Sequence, residues 1–478
     1  MQEWVRISLI LCFFGFLAEI RPNEPYITEF LDGPFNHRNL TKEQIEQDVY
    51  PVGTYSYLAL LVVVFLITDF LRYKPLIITT GASGIIVYST MIWTSSLVAL
   101  QISQFFYGIY MASEIAYYTY MYAKVDKNHY AKVTSYARAA MLFGKLLAST
   151  SAQLLIYFKV MDYKSLNYIT LTSQTLAMLW AFVLPGVKNS IYFHREEYEE
   201  EVAQRALEED SQSYSSYSSV SSVEITVSNK PRPSIVKAKY KDESHEDHLH
   251  HYQRHKRNPH RVKKAIKALW EHFCSAYTSK HVVLWSIWYA VFTCGDYQVT
   301  SYIQVMWEEI NPHPSVAWNA ASDALLTLFG AIFALVAGYY NAGRFNKYLS
   351  FVVLGVVALI EAAAVFMISW TTNLYVSYAG YVVFGGVYGF AVTVTSSEVS
   401  RHLVKDSYGL VFGINTLVAL LLQTIMTAVV VQDTSLGLTI KDQYTVYAFY
   451  YIAFVVIFAI AMIIDWIWER RRQTTNKQ

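Results

Sequence analysis

Apolar residues along this chain come in long unbroken runs rather than in the alternation of strands or the one-sided stripe of a soluble helix. About twelve runs follow one another, most of them close to the roughly 20 residues that an α-helix needs to cross hydrocarbon. They predict a first set of spans at 4–31, 51–70, 76–96, 99–123, 133–157 and 167–186. A second set is predicted at 281–306, 316–341, 348–370, 374–399, 408–432 and 443–468. The stretch 187–262 between them is of another kind: E-E-Y-E-E-E, then S-Q-S-Y-S-S-Y-S-S-V-S-S, then a His/Lys/Arg-rich run. So polar a segment buries no core and is predicted to be disordered.

The pattern predicts an all-α polytopic membrane protein. Residues 1–186 form one six-helix half, 187–262 a cytoplasmic loop, 263–469 a second six-helix half and 470–478 a cytoplasmic tail. Two six-helix halves around a hydrophilic loop is the layout of a major facilitator, whose halves pack about a site near the bilayer midplane. Just before the second set, R-V-K-K-A-I-K-A-L-W-E-H-F has helical apolar spacing and basic residues. It reads either as a helix on the inner membrane surface or as an extension of the helix that follows.

Composition agrees with the pattern. Hydrophobic residues make up 54% of 478 and charged residues 16%, below the roughly 25% of soluble domains. The formal net charge of +1 says nothing about partners, because the charges are segregated along the chain rather than balanced locally; nucleic-acid binding is not expected. Cys12, Cys274 and Cys294 are too few for a disulfide framework. The first run lacks a strong basic start and a small-x-small cleavage site, so it reads as a retained helix.

Lysine and arginine fix an orientation. With the N-terminus inside, the inner loops carry Arg72, Lys74, Lys124, Lys127, Lys132, Arg344, Lys347, Arg401 and Lys405, and the tail carries Arg470, Arg471 and Arg472. The outer loops 97–98, 307–315 and 371–373 carry neither residue, as the positive-inside rule requires. The sequon Asn39-Leu40-Thr41 then falls in the first outer loop, where glycosylation occurs. The expected location is the plasma membrane, with both termini cytoplasmic.

Candidate chemistry lies where charge interrupts the apolar runs. Glu114 sits in Q-F-F-Y-G-I-Y-M-A-S-E-I-A-Y-Y-T-Y-M-Y with no other charge, and a carboxylate near the bilayer centre costs roughly 2.5–3.5 kcal/mol. Glu24 lies in R-P-N-E-P, where two prolines break the helix and free backbone groups toward a cavity. Asp296 and Asp323 interrupt other runs; Asp296 reads either as a functional group or as the cap of a helix break at C-G-D-Y, and Asp323 either as functional or as the partner of Lys145. Cations at comparable depth are few: Lys145, with Arg21 and Arg138 nearer segment ends. An interior richer in carboxylates than in cations predicts a cavity for a positively charged molecule. Tyr117, one turn from Glu114, is a candidate aromatic face for an organic cation.

Other signals are weaker. The six histidines between His245 and His260 lack regular ligand spacing, and no metal site or cofactor is expected. There is no P-loop, no G-x-S-x-G and no H-E-x-x-H, so an enzyme is not expected. Asp69 and Arg72 in T-D-F-L-R-Y-K-P read either as the cytoplasmic latch after the second helix of many facilitators or as a plain topology signal. Glu398 and Arg401 are candidate gating residues in the second half.

Long, ordered matches then carry a resemblance: R-P-N-E-P-Y-I-T with G-P and N-L-T after it, P-V-G-T-Y-S-Y-L, D-F-L-R-Y-K-P, F-F-Y-G, S-E-I-A-Y-Y-T-Y, H-Y-A-K-V-T-S-Y-A-R, Y-Q-V-T-S-Y-I-Q-V-M-W-E-E and L-V-F-G-I-N-T. On these, the chain resembles the reduced folate and thiamine carriers, solute carrier family 19, over nearly all its length outside 187–262. The resemblance implies a twelve-helix facilitator for a vitamin. Its folate members have cations where this chain has Glu114, Gly385 and Gln423; its thiamine members have glutamate and glutamine at the first and last of these. It therefore implies thiamine or a close cationic analogue. Glu24 and Glu114 would hold the aminopyrimidine or offset the thiazolium charge; Tyr88, Tyr117 and Tyr297 would give aromatic faces, and Asp323 and Gln423 polar contacts. Departures are Gly53 and Tyr88, where thiamine members have tryptophan, and Tyr297, where they have asparagine. The alternatives are a folate-type anion carrier and a non-transporting nutrient receptor signalling through 187–262.

Asn39→Gln should increase electrophoretic mobility, because the sequon should carry glycan; an unchanged band, with a tail epitope reached from outside, would overturn the topology. Deleting 205–258 while keeping a flexible linker should leave substrate KM nearly unchanged, and a large rise at normal surface level would place the loop in the site.

Overall fold

The computed structural model describes residues 3–32, 40–125, 129–187, 259–312, 317–339, 347–401, 403 and 408–475. It divides into two compact units, 1–187 with 272–478, and 188–271; of the second, the described residues are helical. The sequon residue Asn39 and most of 187–262, including the histidines from His245 to His255, lie outside the described residues.

The long apolar runs fold as helices. In chain order these are α1 (Glu3–Ala18), α2 (Ile27–Asp32), α3 (Lys42–Gln44), α4 (Tyr50–Phe70), α5 (Lys74–Trp93), α6 (Leu97–Lys124), α7 (Tyr130–Tyr157) and α8 (Tyr163–Ala181). After the loop come α9 (Pro259–Tyr277), α10 (Lys280–Ile310), α11 (Asn319–Tyr339), α12 (Lys347–Trp370), α13 (Leu374–Arg401), α14 (Tyr408–Met426) and α15 (Ile440–Thr475). Among the described residues, 8 helices are long and apolar enough to cross a membrane. Helices α6 and α10, at 28 and 31 residues, are long enough but carry many polar groups on the faces that line the cavity described below. Large apolar side chains stay exposed on outer faces, Leu335 at 69% and Ile457 at 64%. Hydrocarbon suits such a surface better than water does.

Helix ends follow local chemistry. Ser96 caps α6 by accepting from the Ala99 amide at 3.1 Å, and Asp162 caps α8 by accepting from Ser165 at 2.9 Å. Between α4 and α5 the chain turns through Arg72 and Tyr73, both at positive φ (58° and 65°), and Pro75 then starts α5. A turn of π form at Ile45–Val49 leads into α4 just before Pro51, which has no N–H to donate. Helix α9 is separate from α10, parted by Thr278 and the N-cap Ser279, so the basic segment is not a continuation of the next helix.

The run predicted as one span over 4–31 is broken. Helix α1 ends at Ala18, and a 3₁₀ turn at Glu24–Tyr26 precedes α2. The freed backbone groups find partners across the fold. Leu17 O accepts from Ser173 at 2.7 Å, and Ala18 O accepts from Gln174 at 2.9 Å and from Tyr110 at 3.2 Å. Gln304 of α10 donates to Glu24 O at 2.7 Å and accepts from the Thr28 amide at 3.0 Å. Irregular backbone persists in an apolar bundle only where it is satisfied in this way.

Two large apolar clusters, with smaller ones beside them, hold the helices. Leu11, Phe14, Ile77, Tyr117 and Tyr120 are buried in one, and Trp285, Trp288, Phe292, Leu354, Phe384 and Tyr451 in the other. Helix α7 packs on α11 and α4 on α14, seams that join the helices before residue 187 to those after 272. Helices α11 and α13 approach so closely that a Cβ at Gly389 would lie 2.7 Å from Gly330 O. Gly389→Ala should therefore lower stability by about 1–3 kcal/mol through overpacking. Gly338→Ala, with nothing within 4 Å of the new Cβ, should not. Thermal unfolding of both variants in detergent checks this, and coincident transitions would show that the contact is not tight.

Candidate functional site

A cavity of about 410 Å³ opens among α2, α4, α5, α6, α7, α10, α11, α13 and α14. Helix α6 contributes Gln104, Tyr107, Met111 and Glu114, a single stripe at helical spacing. Helix α10 contributes Asp296, Tyr297, Thr300, Ser301, Gln304 and Trp307. The break after α1 brings Arg21 and Glu24, and α4 brings Tyr50, Gly53, Thr54 and Tyr57. Tyr88, Lys145, Asn319, Asp323, Tyr381 and Gln423 complete the polar lining from the remaining helices.

The structure thus brings Glu24, Tyr88, Glu114, Tyr297, Asp323 and Gln423 to one cavity. It does not bring Tyr117 there. That side chain turns the other way, packs 5.5 Å from Phe14, and donates to Leu11 O at 3.0 Å. Tyr118 is the residue that meets Glu114, with its hydroxyl 3.3 Å from Oε1. Asp296 caps no break either, since α10 runs unbroken from Lys280 to Ile310. Gly295 serves packing instead: a Cβ there would fall on the Tyr451 hydroxyl.

Charge pairing divides the lining. Arg21 donates to Glu24 Oε1 at 2.6 Å and to Glu19 Oε2 at 2.8 Å, and lies over the Tyr110 ring at 5.4 Å. Lys145 Nζ lies 3.9 Å from Asp323 Oδ2, which also accepts from Ser149 at 3.3 Å. Among the described residues no cation lies within 4.0 Å of Glu114 or Asp296. The lining carboxylates Glu24, Glu114, Asp296 and Asp323 face the cations Arg21 and Lys145, a formal excess of two negative charges. Aromatic faces stand beside them: Tyr57 and Tyr297 have ring centroids 6.4 Å apart, and Tyr107 stacks on Tyr110 at 6.1 Å. Such an arrangement accepts an organic cation by charge, cation–π contact and hydrogen bonding.

Several lining residues carried no clear sequence signal. Gln304 bonds backbone far away in the chain, and no local pattern foretells that. Gln104 and Tyr107 were accessible from the α6 stripe that ends at Glu114. Gln423, expected to add a polar contact, lies 3.4 Å from the Ser301 hydroxyl. At Gly53 a Cβ would lie 2.6 Å from Gln104 Oε1, so a larger residue there requires Gln104 to move. At Gly385 a Cβ would fall on Leu326, so that position serves helix packing and is absent from the cavity wall.

The gating candidates lie elsewhere. Arg401 donates to Glu398 Oε1 at 2.8 Å, and His281 Nε2 is 3.7 Å from Glu398 Oε2, which ties the end of α13 to the start of α10. Arg72 sits in the strained turn after α4; the Asp69 side chain lies outside the described residues. Among the described residues no group of His, Cys, Asp and Glu has the geometry to hold a metal.

The fold is shared with a POT family transporter in complex with thioalcohol conjugated peptide, at TM-score 0.61 and 12% identity, over 95% of this chain and 96% of that one. Thiamine transporter 1 of Homo sapiens is 35% identical over 463 residues, 95% of this chain and 89% of that protein. The Reduced folate transporter of Homo sapiens is 32% identical over 470 residues, 97% of this chain and 73% of that protein. The family described as Reduced folate carrier matches residues 2–446, nearly the whole chain. With the helical fold, the charged cavity and that match in agreement, the chain belongs to the reduced folate carrier family, solute carrier family 19.

Proposed function

We propose that this chain carries thiamine, or a closely related organic cation, across the plasma membrane by alternating access. The observation that carries the reading is Glu114: a carboxylate on the cavity wall, hydrogen-bonded by Tyr118 and paired with no cation among the described residues. A fixed anion in a cavity of low dielectric favours a positively charged cargo and disfavours an anionic one. The relatives named for thiamine and folate transport support a vitamin as the cargo.

Within this reading the helices form a twelve-span facilitator of two six-helix halves, with both termini cytoplasmic. The seams α4–α14 and α7–α11 are then the surfaces between the halves, and the cavity lies between them. Glu24 acts differently from Glu114. Arg21 pairs with it while also pairing with Glu19, so Glu24 is engaged within the chain and offers hydrogen-bond acceptance more than free charge. Asp323 is likewise engaged by Lys145, while Asp296 adds a second unpaired carboxylate. Tyr57, Tyr88, Tyr107 and Tyr297 supply aromatic faces.

The folate-type alternative meets an obstacle in these pairs. Arg21 and Lys145 are the cations of the lining, and both are held by carboxylates of the chain. A dianionic cargo would have to displace those carboxylates and leave them buried without partners, at a cost of several kcal/mol. Uptake of labelled thiamine, a reduced folate and pyridoxine by cells expressing the chain separates the readings.

Glu114→Gln keeps the shape and one acceptor oxygen but removes the charge. Loss of a charge-assisted contact of about 1.5–3 kcal/mol should weaken thiamine binding roughly 10- to 150-fold. Glu114→Arg should abolish uptake, and should not confer folate transport, because Gln423 and Gly385 still supply no cation. Initial uptake normalised to surface protein, with binding checked in detergent, measures both effects. Parent-like thiamine binding by Glu114→Gln would refute charge recognition by this residue.

A further inference from the structure

The cavity wall holds uncharged polar groups that take no part in the charge pairing, and Gln104 is one of them. Gln104 lines the cavity from α6, and among the described residues its carboxamide makes no hydrogen bond to protein. Its place is set by its neighbours. Gly53 of α4 lacks a side chain where the Gln104 carboxamide lies, since a Cβ there would be 2.6 Å from Gln104 Oε1. The backbone beside it is clipped: the Ser56 hydroxyl donates to Gly53 O at 3.0 Å and to Gln104 O at 3.3 Å. One turn further, a Cβ at Gly108 would fall on the Ser56 hydroxyl, so α4 and α6 cannot drift apart or together at this level without losing contact or clashing.

A carboxamide on a fixed stretch of backbone, facing a cavity with donors and an acceptor to spare among the described residues, is suited to recognition. It sits at one end of the stripe Gln104, Tyr107, Met111, Glu114. Ten residues of helix separate it from Glu114, about 15 Å along the axis. A cargo lying along this stripe meets charge at one end and an uncharged hydrogen-bonding group at the other, with Tyr107 between.

We propose that Gln104, seated in the space that Gly53 leaves open, is a specificity-determining residue that hydrogen-bonds the uncharged polar end of the cargo remote from Glu114. The inference rests on the reading of the cavity as the site of an organic cation. It selects elongated cations with a polar far end over compact ones. Gly53 acts through Gln104, as a positioning residue, because a Cβ at 53 would lie 2.6 Å from Gln104 Oε1 and the carboxamide would have to shift.

The test uses the full-length chain in detergent, with binding measured for thiamine, for an N-alkyl thiazolium that lacks the aminopyrimidine, and for thiamine lacking its hydroxyethyl group. Gln104→Ala should weaken thiamine binding roughly 3- to 10-fold. It should leave unchanged the affinity for whichever truncated probe lacks the contacted end. Gly53→Ala should weaken thiamine binding to a similar degree in the parent, and by less than about twofold in the Gln104→Ala background, as coupled neighbours do. An equal loss for all three probes, or independent effects at 53 and 104, would reduce Gln104 to a packing residue and overturn the proposal. If the parent binds no thiamine, it is the cation reading that fails. The same cycle at 53 and 104, run with the reduced folate or pyridoxine that the parent then binds, still decides the role of Gln104.

Discussion

A charge inside an apolar bundle persists only beside a counter-charge or a polar cavity, and that condition organises this molecule. Arg21 is clasped by Glu19 and Glu24, and Lys145 stands against Asp323. Desolvating either ion alone would cost several kcal/mol, so each pair must form as a unit. Once those pairs are made, Glu114 and Asp296 remain on the wall without a cation within 4.0 Å among the described residues. The negative character of the cavity is therefore a remainder left after internal neutralisation. It does not depend on how many acidic residues the helices hold in total.

The broken first run is what puts half of this arrangement in place. An unbroken helix over 4–31 would carry Arg21 and Glu24 along a regular surface and leave no backbone for α10 to grip. With Pro22 and Pro25 removing amide donors, the chain must find partners elsewhere. It finds them in Ser173 and Gln174 of α8, Tyr110 of α6 and Gln304 of α10. These side chains tie the break to elements on several sides of the cavity. Any movement of α10 relative to the first helices must therefore exchange the two Gln304 bonds, and the same movement shifts Glu24, whose carbonyl is one of the acceptors.

Much of this was legible in the chain itself, for definite reasons. Long apolar runs report helices because hydrocarbon length is fixed, and a lone carboxylate such as Glu114 reports a cavity because it is costly anywhere else. The two prolines around Glu24 report a break. Tyr117, expected beside Glu114, lies off the cavity wall for a geometric reason: three residues on from Glu114 is about 60° away around the helix, whereas four residues on, at Tyr118, is about 40°. The C-G-D-Y stretch forms no break, because a helical glycine equally marks a close approach, here by Tyr451. Partners distant in sequence, such as Gln304 with Thr28, left no local pattern at all, since a glutamine in a helix looks the same with or without one.

The end of the bundle that carries α2 and α3 is crossed by single polar contacts as well as by the apolar cluster of Tyr26, Ala152, Leu166, Ala317 and Ala320. Asn319 donates to Glu29 at 3.0 Å, Lys42 to Glu308 O at 3.1 Å, Gln47 to Asp433 at 2.7 Å and Gln432 to Gln47 O at 3.0 Å, and Gln443 donates to Glu46. Each joins a residue before 187 to one after 272. A hydrogen bond of this kind is worth only about 0.5–1.5 kcal/mol net, because water takes the place of the lost partner once the groups separate. An apolar plug of the same extent would resist opening far more, since all of its buried surface would be wetted at once. At the gating candidates Glu398 and Arg401, Arg401 donates to Glu398, which also faces His281, so these contacts tie the end of α13 to the start of α10. Exchangeable polar bonds at the α2–α3 end would suit the alternating access proposed above, where closed and open states must lie within a few kcal/mol of each other for a modest difference in cargo affinity to shift the population.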